Sequence, residues 1–127
     1  MNYLFVRHGE TDWNVLGKIQ GRTDIPLNNN GIIQVKNLCL KINSMNPELK
    51  KIYTSVQIRA VQTAKLISEY SGLNFESING IEEVNFGLWE GLSWTEVKSE
   101  YPKEYEEWIK NQRYAKTPNG ESYQNTL

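Results

Sequence analysis

The stretch Tyr3-Leu4-Phe5-Val6-Arg7-His8-Gly9-Glu10-Thr11 decides how this sequence is interpreted. Its first four residues are apolar and favour β-structure, and the polar, glycine-containing residues after them predict a buried strand that ends in a loop. Ligands of open α/β sheets bind just beyond the carboxyl ends of such strands. His8 is the single histidine of the chain, and beside Arg7 it could attack phosphorus while the arginine holds the phosphate. The same residues could equally be a strand end whose side chains face solvent.

The composition bounds the class of protein. The chain has 127 residues and a formal net charge of −1, so we expect one domain over residues 1–127 and neither nucleic acid nor a membrane as a partner. The apolar start is short and runs straight into Arg7, and no segment approaches the roughly 20 apolar residues that a membrane span needs. The single cysteine, Cys39, excludes an intrachain disulfide. These features predict a cytoplasmic protein.

The charges divide unevenly along the chain. Residues 1–65 carry nine Lys and Arg against four Asp and Glu, whereas residues 66–127 carry five against eleven. A basic half that contains Arg7 suits a small anionic ligand, because positively lined clefts concentrate anions. Charges that happen to segregate on solvated helices would produce the same pattern.

Hydrophobic periodicity predicts strands that alternate with helices. After a polar loop at 12–26, residues 28–30 can cap a helix whose apolar positions over 32–42 fall on one face. A second strand at 51–54 enters a helix that Ser55 could cap and that Gly72 ends, and a weaker third strand follows at 74–78. This alternation predicts an α/β protein with a parallel sheet and crossover helices.

The second half of the chain predicts two further short helices. Ser93-Trp94-Thr95-Glu96 is a capping box, and Pro102 suits the first turn of the last helix. The tail at 117–127 is polar and shows no periodicity. Large apolar residues of these helices are expected to pack in a core or a lid: Trp94, Val97, Tyr105, Trp108 and Ile109.

Several separated motifs occur in one order along the chain. They are Arg7-His8-Gly9-Glu10-Thr11, Trp13-Asn14, Gln20-Gly21, Asp24, Pro26-Leu27, Gly31, Thr54-Ser55, Arg59-Ala60, Gln62-Thr63-Ala64, Glu83, Phe86-Gly87 and Trp89-Glu90-Gly91. In this order they resemble the histidine phosphatase superfamily, also called the phosphoglycerate mutase-like family, from residue 3 to about residue 122. The resemblance implies a three-layer α/β fold with a mostly parallel central sheet and crossover helices, and it implies no metal and no cofactor.

The resemblance implies that His8 is a nucleophile that forms a phosphohistidine, which water or a second acceptor then resolves. The attacking ring nitrogen must be unprotonated, so the other nitrogen must carry the proton and be held by an acceptor such as a backbone carbonyl. Gly9 would let the backbone fold close enough for that contact.

By the same resemblance, Arg7 and Arg59 grip the phosphoryl oxygens and act with His8 in catalysis. Arg59 lies at a predicted helix N-terminus, where the helix dipole also favours an anion. The resemblance further assigns phosphate or substrate binding to Asn14 and to Gln20 with the adjoining Gly21. Either amide could instead stabilise a loop.

Glu83 matches the family acid that protonates the leaving oxygen, and only Glu83, rather than the adjacent Glu82, keeps the family spacing to Phe86-Gly87. For this role near neutral pH the carboxyl group must stay protonated, and we expect burial beside Phe86 and Trp89 to favour that form. Two other acids are expected to be structural, one near the first strand and one at the tryptophan-glycine turn: Glu10 and Glu90.

The chain also departs from the family pattern. Asn28 stands where a threonine is usual, and Ser55-Val56 replaces a common Ser-Asp pair. Family members are longer and carry a second pocket histidine in a late strand, so the resemblance implies either a domain truncated at its C-terminal end, with an incomplete sheet, or a decayed relative. We therefore expect the 127-residue form to be slow or inactive and to associate through an open sheet edge as a homo-oligomer.

Residues 86–91 resemble the broad phosphatase branch of the family, which includes α-ribazole phosphatase. The expected function is hydrolysis of a small phosphorylated metabolite, a phosphomonoester, through a phosphohistidine. Two alternatives stay open: a phosphoglycerate mutase that moves a phosphoryl group between hydroxyls, and a non-catalytic phosphate-binding relative or fragment.

Overall fold

The computed structural model describes residues 3–45 and 47–126. Within these ranges no helix is long and apolar enough to cross a membrane. Two short 3₁₀ helices span Gly87–Trp89 and Tyr123–Thr126. In chain order the regular elements are α1 (Asp12–Leu16), α2 (Asn29–Met45), β1 (Ile52–Thr54), α3 (Ile58–Ser71), β2 (Phe75–Ser77), α4 (Trp94–Glu100) and α5 (Pro102–Lys110).

A parallel β-α-β unit forms the centre of the described fold. β1 and β2 pair in parallel with Ile52 opposite Phe75, and α3 connects them and packs against α2 and β1. Gly72 ends α3 in the left-handed conformation at φ 76° and donates its N–H to the carbonyl of Ser68, as helices that end in glycine commonly do. The α/β class is therefore confirmed, with a sheet that is incomplete in the described residues.

The prediction of a buried first strand is wrong. Residues 3–6 form no strand, and the side chain of Phe5 is 92% exposed. Leu4 and Val6 are less exposed than their neighbours and line a shallow groove against α2, so the period-two pattern is present. A strand also needs a neighbour for its backbone hydrogen bonds, and the only sheet within the described ranges consists of β1 and β2.

The loop predicted at 12–26 begins with the short helix α1. Thr11 and Asn14 form a capping box, in which the Thr11 hydroxyl accepts from the Asn14 N–H and the Asn14 side chain accepts from the Thr11 N–H. Gly17 closes the helix at φ 68°. These two caps make a five-residue helix possible where its own length would not sustain one.

The start of α3 differs from the prediction that Ser55 caps it. Gln57 is the N-cap residue, and its side chain makes no capping hydrogen bond. Instead, the N–H of Ile58 donates to Oδ1 of Asp24, 3.0 Å away, from the preceding loop. A carboxylate at this position satisfies a backbone donor and interacts favourably with the helix dipole.

The described residues form two hydrophobic clusters. The first lies between α2 and α3, and the second brings α4 and α5 against the segment around the fully buried Trp89. The predicted capping box at Ser93 and the placement of Pro102 in the first turn of α5 are confirmed. Of the large residues expected there, Val97 and Trp108 are buried, Tyr105 is half-buried, and Trp94 and Ile109 are exposed.

Candidate active site

His8 is half-buried, and its Nδ1 lies 2.7 Å from the carbonyl oxygen of Gly9. Because a carbonyl oxygen can only accept, this hydrogen bond assigns the proton to Nδ1 and leaves a lone pair on Nε2. The ring orientation that a nucleophilic histidine requires is therefore present.

The backbone beside His8 is held between two helices. A Cβ placed on Gly9 would stand 2.6 Å from the carbonyl oxygen of Gly31 in the first turn of α2. On the other side, the N–H of Gly9 donates to Oγ1 of Thr63 in α3 at 3.1 Å. Only a residue without a side chain fits such a close backbone approach.

Three charged residues that the sequence singled out act electrostatically on His8. Burial lowers the pKa of His8, and the hydrogen bond to the Gly9 carbonyl opposes that effect. The charges of Arg59 and Arg7 lower the pKa of the ring further, whereas the charge of Glu83 raises it. The tertiary structure thus brings these charges close enough to affect the ring, which is mainly neutral at pH 7.

Arg59 is the second residue of α3 and is 3% exposed. Its Nη2 donates to the carbonyl of Gly21 at 2.7 Å, and its Nη1 donates to the carbonyl of Thr23 at 2.9 Å. Burial lowers the pKa of this arginine, and nearby carboxylates oppose the effect. The carbonyl groups fix the guanidinium plane, and no other described residue accepts from its N–H donors. The carbonyl of Gly21 therefore serves Arg59.

Arg7 is exposed, and the described residues offer its guanidinium no hydrogen bond or ion pair. It follows the groove residues and directly precedes His8 in the chain. Its planar set of N–H donors is therefore available to an anion that approaches the ring.

Asn14 and Gln20 use their amide oxygens within the loop. Oδ1 of Asn14 accepts from the Thr11 N–H at 2.9 Å, and Oε1 of Gln20 accepts from the Thr11 hydroxyl at 2.6 Å. Both amide oxygens therefore stabilise the loop, as the alternative interpretation predicted. Their NH₂ groups have no acceptor among the described residues and carry the donors that a phosphate would need.

The expected burial of Glu83 beside Phe86 and Trp89 is wrong, because the Glu83 side chain is exposed. Val84 and Phe86 take the inward positions of this segment, and Glu83, directly before Val84, falls on the opposite, outward side. Oε1 of Glu83 accepts from the N–H of Val84 at 2.9 Å. The backbone of Glu83 is held on both sides, by Gln57 at its N–H and by Arg22 at its carbonyl.

Glu90 joins the two loops of the site. Its carboxylate accepts from the N–H groups of Arg22, Thr23 and Phe86 at 3.2, 2.9 and 2.9 Å, and also from the Thr23 hydroxyl. The expected structural role is therefore present, and it extends to the loop whose carbonyls hold Arg59. Glu10 also serves the fold, since its Oε1 accepts from Nδ2 of Asn28 at 3.1 Å.

Sequence reasoning missed Gln57, which is buried and bonded at both ends of its amide. The available signal was a long amide at a helix N-cap, a position where Ser, Thr, Asp and Asn are favoured. No group of three or more His, Cys, Asp and Glu side chains in residues 3–45 and 47–126 has the geometry to hold a metal ion.

Comparison with known proteins shows which family this chain resembles. The model of the histidine phosphatase superfamily (branch 1) matches residues 3–127. The chain is 32% identical over 119 residues to phosphoserine phosphatase 1 of Hydrogenobacter thermophilus, covering 94% of this chain and 56% of that protein. It is also 32% identical over 122 residues to a protein described as a probable phosphoglycerate mutase, GpmB, of Yersinia pestis, covering 96% of this chain and 56% of that protein.

The fold has the same relatives. The α-ribazole phosphatase of Shigella flexneri superposes with a TM-score of 0.84 at 30% identity, covering 95% of this chain and 59% of that one. This chain thus spans little more than half the length of these relatives. The match over nearly all of its residues shows that the chain belongs to the histidine phosphatase superfamily and has its α/β fold.

Proposed function

We propose that this chain carries the phosphate-binding and nucleophilic half of a phosphomonoester hydrolase that acts on a small phosphorylated metabolite. The single observation that carries the proposal is the 2.7 Å contact between Nδ1 of His8 and the carbonyl of Gly9. It leaves Nε2 unprotonated, in a ring whose pKa responds to the charges of two arginines and a carboxylate.

In the proposed first step, the lone pair on Nε2 of His8 attacks phosphorus and forms a P–N bond. The P–O bond to the leaving group breaks, and Glu83 gives that oxygen a proton. Arg7 and Arg59 balance the negative charge on the equatorial oxygens. Water then attacks phosphorus and the P–N bond breaks. The attacking water gives a proton to the Glu83 carboxylate.

The test is to trap the intermediate. The chain is incubated with ³²P-labelled acetyl phosphate and quenched in alkali, because a phosphohistidine survives alkali and hydrolyses in acid. Label is expected on wild type and on a surface control, Arg113→Gln, and is expected to be absent from His8→Gln. Equal labelling of His8→Gln and wild type would overturn the proposal.

A phosphoglycerate mutase is the second candidate, favoured by the similarity to the Yersinia protein. The two activities share the phosphohistidine and differ in its acceptor. Wild type is offered 3-phosphoglycerate with a 2,3-bisphosphoglycerate primer, and the products are followed by ³¹P NMR. Isomerisation without phosphate release would favour the mutase, whereas phosphate release favours the hydrolase.

The non-catalytic alternative makes a different prediction. A phosphate-binding module would bind vanadate or phosphate through Arg7 and Arg59 without transferring label to His8. Calorimetric binding of vanadate to a chain that never becomes labelled would favour the module.

A further inference from the structure

Gln57 lies between the two charged parts of the site. It is 6% exposed, and it occupies the N-cap position of α3, two residues before Arg59. Its Nε2 donates to the carbonyl of Gly21 at 2.8 Å, and its Oε1 accepts from the backbone N–H of Glu83 at 3.3 Å. The amide therefore uses both of its ends on backbone groups of other segments.

The carbonyl of Gly21 is shared. It accepts from Nη2 of Arg59 at 2.7 Å as well as from Gln57. One backbone oxygen thus fixes the phosphate-binding guanidinium and the amide that holds Glu83. A primary amide is planar, and both ends of the Gln57 amide are bonded. A shift of Glu83 would therefore move the Gln57 amide and disturb the hydrogen bonds to the Gly21 carbonyl oxygen.

The Gln57 side chain does not take part in capping α3. The Gln57 side chain makes no capping hydrogen bond, and Asp24 supplies the cap instead. The Gln57 side chain therefore does not cap its own helix, and within residues 3–45 and 47–126 the partners of its amide are the backbone groups of Gly21 and Glu83.

From these contacts we infer that Gln57 is a positioning residue, which sets the place of the acid Glu83 relative to the phosphate held by Arg59. The inference rests on the proposed function for its catalytic meaning. Gln57 touches neither the substrate nor the reacting atoms and acts through the backbone of Glu83.

The first test uses leaving-group dependence. The p-nitrophenolate group of p-nitrophenyl phosphate leaves readily without a proton, whereas the more basic phenolate group of phenyl phosphate needs a proton from the acid. Gln57→Leu is expected to lower kcat for phenyl phosphate by about tenfold while changing kcat for p-nitrophenyl phosphate by no more than about twofold. In a Glu83→Gln background, Gln57→Leu is expected to have no selective effect on phenyl phosphate. Equal losses on both substrates would overturn the inference.

A matched control lies on the same helix. Oε1 of Gln62 accepts from the N–H of Leu27 at 2.7 Å, so Gln62→Leu removes a comparable link between α3 and a loop without touching Glu83. It is expected to leave the ratio of the two kcat values unchanged. Gln57→Met, whose side chain is closer in shape, repeats the test if the leucine variant unfolds.

The second test needs no turnover. Because the charge of Glu83 raises the pKa of His8, the ring of this single histidine reports where Glu83 lies. Its ¹H NMR titration is recorded for wild type, Gln57→Leu, Glu83→Gln and the double variant. The change caused by Gln57→Leu is expected to differ between the wild-type and Glu83→Gln backgrounds.

The same change in both backgrounds would overturn the inference even in an inactive chain. A chain that forms no phosphohistidine but shows this coupling would refute the proposed function and still support the placement of Glu83 by Gln57. The two failures are therefore distinguishable.

Discussion

Gly9 and Gly31 lie back to back, with the carbonyl oxygen of Gly31 2.6 Å from the place that a Gly9 Cβ would take. A Cβ on Gly31 would in turn collide with the backbone of Glu10. Two glycines that are distant in sequence therefore allow α2 to press against the chain beside His8. The position of the ring depends on this contact between helix and loop.

Gly31→Ala is expected to destabilise the chain by about 1–3 kcal/mol, because backbone cannot yield to the new methyl group. Urea denaturation measures the change, and Asn30→Ala, at an exposed position of the same helix turn, is the control. A Gly31→Ala chain as stable as the Asn30→Ala chain would show that the close approach does not matter.

The titration of His8 is expected to fall below the ordinary value of 6.5. Arg7→Gln should raise the midpoint, since the arginine charge lowers the pKa of the ring, and Glu83→Gln should lower it, since the carboxylate raises that pKa. The ¹H NMR signal of the ring gives the midpoint directly. Arg113→Gln is the control that should leave it unchanged, and a midpoint above 6.5 in wild type would contradict the structure.

The same shift predicts how stability depends on pH. Because the folded ring has a lowered pKa, the unfolded chain binds the proton first as the pH falls. The contribution of His8 to the free energy of unfolding is therefore lost between pH 6.5 and the lower folded pKa, and it is fully present above 6.5. The difference in stability between wild type and His8→Gln is expected to shrink as the pH falls through this window. A difference that does not vary with pH would exclude the linkage.

Glu90→Gln is expected to disturb the loop that holds Arg59. The substitution keeps the size of the side chain but turns an NH₂ group toward N–H donors, which costs about 1–3 kcal/mol for each buried donor left unsatisfied. A weaker affinity for vanadate, measured by calorimetry, should accompany the lower stability. Glu76→Gln, which removes a carboxylate from an exposed pair with Lys51, should change neither quantity. Unaltered vanadate binding by Glu90→Gln would show that Glu90 does not support the loop that holds Arg59.

Asp24→Ala should lower the free energy of unfolding by about 0.5–2 kcal/mol, the usual loss for an N-cap. Asp24→Asn keeps the accepting oxygen and should lose less. Ser55→Ala distinguishes the cap in the structure from the cap that the sequence suggested, since Ser55 makes no cap to α3. Thermal unfolding of the three variants should rank Asp24→Ala as the least stable, and a larger loss for Ser55→Ala would contradict this assignment.

The sequence by itself determined the family, the parallel β-α-β unit and the residues around the ring. Local signals sufficed for these features: helical periodicity before Gly72, the capping box at Ser93, and an ordered set of motifs around His8 and Arg59. The periodicity and the capping box depend on residues only a few positions apart, and the motif set depends on short local motifs and their order, so all three are visible in the chain.

Only the tertiary structure decided which backbone groups each polar side chain serves. Asp24 caps a helix 34 residues away, and Gln57 reaches Glu83 across 26 residues. The first apolar segment, residues 3–6, has the pattern of a strand and no neighbour to pair with in the described ranges. Hydrogen bonds between distant segments depend on how the chain packs, and neither periodicity nor propensity carries that information.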